Sequence, residues 1–186
     1  PKLQQSICAH QNSLLKRAKR FLHGETLPST ICDAFLATPR HNFAPRFPDG
    51  SPGLWSDIDE PLLLEHLNKL YADQPFCIYR NEIGVVASTI SQPSLVIYML
   101  HLLELEPGMS VFELGGGSAW NAALMARIVG NQGRVFSVEV VTALIENARR
   151  ALKESGIDNV SLISGDAMLG LTEYGPFDRG IFTASA

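Results

Sequence analysis

The sequence is short of charge, of cysteine and of long apolar runs, and each shortage excludes something. Charged residues make up 18% of its 186 positions, below the roughly 25% of an average globular protein. The 15 basic and 19 acidic residues leave a net charge of −4, so nothing global points to a nucleic-acid partner. The one basic cluster, Lys16-Arg17-Lys19-Arg20, reads as the solvated face of a helix. Cys8, Cys32 and Cys77 are odd in number and far apart, with no CxxC. His10, His23, His41, His66 and His101 show no ligand spacing, so no metal is expected, and a reduced, cytoplasmic setting is. No run approaches the ~18 apolar residues of a membrane span, and the N-terminus lacks the basic-then-apolar pattern of a signal peptide. What is present, 46% hydrophobic residues over this length, is enough to build a core.

The first half reads as helices around a loop-rich middle. Leu3, Ile7, Leu14, Leu15, Ala18, Phe21 and Leu22 share one face of a helix over residues 3–23. A second, short helix starts after Pro28, with Ser29 or Thr30 as its cap and Ile31, Ala34 and Phe35 facing inward, and stops at Thr38-Pro39. Five Pro and Gly residues between Phe43 and Asp59 predict an irregular surface loop. Leu62–Tyr71 suits a short helix, and Phe76–Tyr79 and Val85–Val86 suit extended pieces.

After Ile90 the pattern sharpens. Ser91-Gln92-Pro93 opens a helix carrying Leu95, Val96, Met99, Leu100 and Leu103. Strands are expected at Ser110–Leu114, Arg134–Val138, Asn159–Ile163 and Phe177–Ser185, with helices from Ser118 to Val129 and from Thr142 to Ser155. Buried strands alternating with helices define an α/β, doubly wound, mainly parallel sheet, here with an N-terminal helical extension.

In such a sheet a ligand sits beyond the carboxyl ends of the strands. Four features fall there. Gly115-Gly116-Gly117-Ser118 follows the first strand, where glycine lets a ligand approach the backbone and the next helix offers free N–H donors; a tight turn needs glycine with no ligand at all. Glu139 ends the next strand, and an acid roughly 20 residues past such glycines is placed to accept ribose hydroxyls; the alternative is a solvated strand-end carboxylate. Gly165-Asp166 ends the third strand, where Asp166 is either an acceptor for an exocyclic amine or a turn residue. Glu113 lies inside a strand end, where burial without a partner is costly; a ligand α-ammonium would supply one. Two acids aimed at hydroxyls and an ammonium, with no GxxxxGK[ST] and no GxGxxG, argue against a phosphate site, and a nucleoside carrying an amino acid suits these groups better than a dinucleotide.

These residues belong to a wider set of matching stretches. They are Ala34-Phe35-Leu36-Ala37-Thr38-Pro39-Arg40, Tyr71-Ala72-Asp73, Thr89-Ile90-Ser91-Gln92-Pro93, Val111-Phe112-Glu113-Leu114-Gly115-Gly116-Gly117-Ser118, Gly133-Arg134-Val135, Asn159-Val160, Gly165-Asp166 and Phe177-Asp178-Arg179. In them the chain resembles the protein-L-isoaspartate O-methyltransferase family of class I S-adenosylmethionine-dependent methyltransferases, over roughly residues 30–186. The resemblance implies a Rossmann-like sheet and S-adenosyl-L-methionine as cofactor, with S-adenosyl-L-homocysteine as product. The cofactor would lie over Glu113, Gly115, Gly116, Gly117 and Ser118, its ribose on Glu139 and its adenine by Gly165 and Asp166. An isoaspartyl protein or peptide would be the partner, with Ser91 bordering the acceptor and donating a hydrogen bond to its carboxylate. Read without the resemblance, Ser91 is a helix N-cap.

The resemblance also divides the chain into a substrate-facing segment, 1–90, and a cofactor-binding core, 91–186. Two departures from the family pattern bear on the acceptor. Ala119-Trp120 stands where the family has Gly then Tyr, which would bring a methyl close to the cofactor. Arg46–Lys69 resembles an insertion with Asp49, Asp57, Asp59, Glu60 and Glu65, either capping the cleft or forming a long surface loop. The family sheet has about seven strands and four are legible, so the natural protein is expected to start before Pro1 and continue past Ala186. Rival readings are a methyltransferase of the same fold on another acceptor (a small molecule, a modified peptide or RNA) and a non-catalytic binding module.

Overall fold

The parallel sheet is organised by its first strand. In a computed structural model, which describes residues 2–44, 46–48, 55–57, 60–167 and 171–184, β5 (Ser110–Leu114) lies between β6 (Arg134–Glu139) and β8 (Arg179–Phe182). β7 (Val160–Ser164) lies beyond β6, so the order is β7-β6-β5-β8, all parallel. The register sets Val111 beside Val135 and Glu113 beside Ser137. Because side chains alternate along a strand, these four point to one face, and all are fully buried.

The helix α5 (Trp120–Val129) follows β5 and packs between the sheet and α2 (Ser29–Ala37); only Arg127 on it is exposed. A helix apolar all round is one buried on several sides. At its C-terminal end the carbonyls of Ala126 and Gly130 also accept from Asn159 Nδ2, at 3.0 and 2.9 Å. α6 (Thr142–Glu154) joins β6 to β7 and buries Leu144, Ile145, Ala148, Ala151 and Leu152. The opposite sheet face carries an aromatic cluster: Phe177 packs on Phe112 and Phe136 with ring centroids 5.5 and 5.6 Å apart.

The N-terminal block is α1 (Lys2–Ala18), a 3-10 turn at Lys19–Leu22, α2, and a second 3-10 turn at Arg40–Phe43. Next come β1 (Arg46–Pro48), β2 (Trp55–Asp57), α3 (Glu60–Leu70) and the hairpin β3 (Phe76–Arg80) and β4 (Val86–Ile90). α4 (Pro93–Leu103) connects this block to the sheet. Among the described residues no helix is long and apolar enough to cross a membrane. Cys8, Cys32 and Cys77 are free thiols, and no described cluster of His, Cys, Asp or Glu could hold a metal ion.

Several local expectations are corrected. The 43–59 stretch is not wholly irregular, since β1 and β2 pair antiparallel from Arg46 opposite Asp57 to Pro48 opposite Trp55; Asp49, Asp59 and the rest of residues 49–54 lie outside the described residues. Phe21 leaves the apolar face because α1 tightens into 3-10 geometry after Ala18, which rotates Phe21 outward to 45% exposure. Leu95 is 46% exposed because α4 buries Val96, Ile97 and Leu100 instead; its sequence is apolar all round, so periodicity does not select the face. Neither expected side-chain cap forms: Pro28 precedes α2 with no capping bond, and Gln92, not Ser91, precedes α4. The first turn of α4 is capped from afar, by Asp73 Oδ1 accepting from the Ser94 N–H at 3.0 Å.

Candidate functional site

The turn after β5 is shaped by close approach. Gly115 has φ +91°, and a Cβ there would come within 2.6 Å of the Ala184 Cβ and 2.9 Å of its backbone nitrogen. A Cβ on Gly116 would collide with Ser137 Oγ. Both N–H groups donate to the carbonyl of Val138 at 2.9 Å, tying the turn to β6. Thr183 Oγ1, just past β8, donates to the carbonyls of Leu114 and Gly115 at 2.9 and 2.7 Å. The floor of the turn is thus set by three strands.

Ser91, Glu113, Gly115, Gly116, Gly117, Ser118, Glu139, Gly165 and Asp166 all line one cleft of about 630 Å³, within the usual range for a small-molecule site of about 300–1,000 Å³. Its other wall is β4, from Val86 to Ile90. No described residue of the 46–69 stretch lines it.

Two acids sit under the turn with different partners. Glu139 is 7% exposed; its Oε2 accepts from the Gly117 N–H at 2.6 Å and its Oε1 from the Val141 N–H at 2.7 Å. It therefore braces the glycine turn from the tip of the neighbouring strand. Glu113 is fully buried, and its partners are protein groups: Asn121 Nδ2 donates to Oε1 at 2.8 Å and Ser137 Oγ to Oε2 at 2.6 Å. The burial of this acid is thus answered by two neutral protein donors, beside any partner that a ligand α-ammonium would supply. Asn121 Oδ1, buried beside the cleft, has no partner.

Burial pushes the Glu113 carboxyl up to about 7, against the downward pull of the Ser137 and Asn121 hydrogen bonds, with nearby Glu139 pushing the same way as burial. The folded chain then keeps a proton there between pH 4.5 and about 7 that the unfolded chain has released. Linkage gives the sign: this group's contribution to stability is full below pH 4.5 and declines as pH rises through that window, by up to about 3 kcal/mol. Urea-unfolding free energies of the wild type minus those of Glu113→Gln should fall with rising pH. A flat difference would place the ionisation elsewhere.

The Ala119-Trp120 departure acts differently from its expectation. Ala119 has φ +64°, a left-handed conformation that favours glycine, but it is fully buried and is not among the residues lining the cleft. Trp120 does line it, at 2% exposure. Its Nε1 donates to the Thr38 carbonyl at 3.0 Å, its ring meets Phe35 edge-on at 5.9 Å, and the Arg40 guanidinium lies 5.6 Å from its centroid.

Sequence reasoning missed Asn121, Ser137, Thr183 and the individual role of Arg40. The first three are neutral polar residues whose only signal is their setting, inside an apolar helix, inside an apolar strand and just past one. Arg40 closes the Ala34–Arg40 stretch, but its partners are dispersed along the chain. It is 2% exposed, and burial lowers it to about 10, while Tyr71 and Asp73 favour its charge. Ser91 is half-buried on the β4 side of the cleft, its hydroxyl making no hydrogen bond to the described residues.

The strand order, the glycine turn after β5 and the acid at the tip of β6 define a Rossmann-like α/β fold of the class I methyltransferase type. The family model for protein-L-isoaspartate(D-aspartate) O-methyltransferase matches residues 9–186, and the chain belongs to that family. A protein-L-isoaspartate O-methyltransferase from Methanothrix thermoacetophila is 45% identical over 116 residues, 62% of this chain and 52% of that protein. One from Methanococcoides burtonii is 39% identical over 167 residues, 90% of this chain and 70% of that protein. A solved protein-L-isoaspartate O-methyltransferase superposes with a TM-score of 0.72 at 32% identity, covering 93% of this chain and 47% of that one. The chain spans about half the length of several of the curated relatives it matches.

Proposed function

We propose that this chain holds S-adenosyl-L-methionine in the cleft beneath the glycine turn and serves methyl transfer to the carboxylate of L-isoaspartyl residues in damaged proteins or peptides, with S-adenosyl-L-homocysteine as product. Family membership supports the reaction. The observation that carries the site is Glu139: a carboxylate fixed by the Gly117 and Val141 N–H groups and lining the same cleft as Ser91. The fit to a nucleoside bearing an amino acid rests on one further feature, the unpaired Asn121 Oδ1 buried beside the cleft.

When bound, the cofactor supplies an electrophilic methyl group on a sulfonium. The residues of the chain supply position. Glu139 has lone pairs left for the ribose hydroxyls, Gly165 and Asp166 border the adenine, and Asn121 Oδ1 accepts from the amino-acid end beside Glu113. Ser91 donates its hydroxyl to the acceptor carboxylate; with Gln92 taking the cap position, that hydroxyl is not engaged by α4. A carboxylate is ionised at neutral pH, so no general base is needed, and orientation supplies most of the rate. The three free thiols suit a reducing, cytoplasmic setting.

The test is incubation with labelled S-adenosyl-L-methionine and an isoaspartyl peptide, with the aspartyl isomer as control. Selective labelling of the isoaspartyl peptide is expected. Equal labelling of both would defeat the repair reading, and binding without transfer would favour a non-catalytic module. Ser91→Ala should lower kcat roughly 10- to 100-fold, the worth of one hydrogen bond to a charged group, and leave the cofactor Kd unchanged.

A further inference from the structure

The acceptor side and the cofactor side of the cleft belong to different parts of the chain, and one buried side chain touches both. Arg40 enters from the 3-10 turn after α2. Its Nη1 donates to the carbonyls of Leu70 and Ala72 at 2.8 and 3.3 Å, where α3 ends. Its Nη2 donates to Gln74 at 3.1 Å, just before β3, and to Ile90 and Ser91 at 3.0 Å each, where β4 ends. The plane of the same guanidinium approaches the ring of Trp120, the first residue of α5 after the glycine turn. No carboxylate lies within ion-pair distance of it among the described residues.

This partner set is unusual for a residue that only stabilises. A structural arginine at this burial would normally take a carboxylate partner. Here the Nη donors go to main-chain carbonyls instead, including that of the residue proposed to face the acceptor, and the buried Nε has no partner. The peptide carrying the Ser91 carbonyl is held within hydrogen-bond distance of a group that is itself seated on α5. A planar fork with fixed donor directions does this; an ammonium on a flexible stem does not.

We infer that Arg40 is a positioning residue for the methyl acceptor: by holding the Ile90 and Ser91 carbonyls against Trp120, it sets the distance and angle between the Ser91 hydroxyl and the glycine turn. The inference rests on the acceptor role proposed for Ser91. Displacement by about 1 Å at a reacting centre costs up to about 100-fold in rate, so the acceptor step should feel the clamp more than cofactor binding does.

The experiment is Arg40→Lys in the full chain, which keeps the charge and loses the fork. Its kcat with the isoaspartyl peptide should fall about 10- to 100-fold, with the S-adenosyl-L-homocysteine Kd within about threefold of wild type. Amide exchange should quicken at residues 88–92 by about tenfold or more while residues 113–118 keep their protection, the signature of a local opening. Unchanged kcat in a folded variant, equal loosening of both segments, or loss of the fold altogether would each overturn the inference, the last by making Arg40 a stability residue only. If the wild type labels no isoaspartyl peptide, the functional reading fails. The exchange pattern then decides Arg40 alone: selective loosening at 88–92 supports the clamp, and any other pattern removes it.

Discussion

Arg40→Met should cost about 3 kcal/mol or more of unfolding free energy. Five carbonyls from three segments lose their donor at once, and a buried acceptor left unpaired costs about 1–3 kcal/mol. Part of this is returned, because removing a cation from a buried site also removes its desolvation penalty. Water entering the vacated volume would repair some of the rest. At about 2–4 °C per kcal/mol for a chain of this size, the midpoint of thermal unfolding should drop by roughly 6–12 °C. Urea unfolding followed by circular dichroism measures the loss directly, and a change below about 1 kcal/mol would show that the carbonyls find other donors.

Glu139→Ala should weaken S-adenosyl-L-homocysteine binding by about 100-fold, or about 3 kcal/mol. The effect exceeds that of one lost ligand contact because the same carboxylate accepts from Gly117 and Val141. Without it the glycine turn loses its brace from β6 and must be ordered at the moment of binding. Glu139→Gln should fall between, since an amide keeps one acceptor oxygen where two N–H donors require two. Calorimetric titration reads both variants, and an unchanged affinity in Glu139→Ala would remove the ribose role proposed for this residue.

Those residues differ in how visible they are in the sequence. The β5 strand, its glycine turn and Glu139 are legible because each is defined by neighbours within a few positions: a short apolar run, consecutive glycines, an acid at the end of the next run. The same holds for α5 and α6, whose bounds depart little from expectation. The N-terminal half is less legible because its order comes from afar. Asp73 caps a helix from 21 positions away, and Arg40 reaches partners 30 to 51 positions on. β4 shows no clean alternation, with two of its first three residues exposed and its last buried, so the hairpin offers only short extended signals. Glu113 shows both sides: its burial is readable from the strand around it, but Ser137 and Asn121, which answer that burial, are ordinary polar letters until β6 and α5 are folded against β5.

The partners of Arg40 also bear on how freely the surrounding sequence can change. Every amino acid carries a backbone carbonyl, so a clamp built on the carbonyls of residues 70, 72, 74, 90 and 91 fixes the path of the chain while placing no demand on side-chain identity at those positions. Upstream, the segment before α3 can vary in length and composition without moving β4, provided α3 keeps Leu63 and Leu67 in the core and ends in the same place at Leu70. The geometry of the site is thereby insulated from divergence in the segment that leads into it.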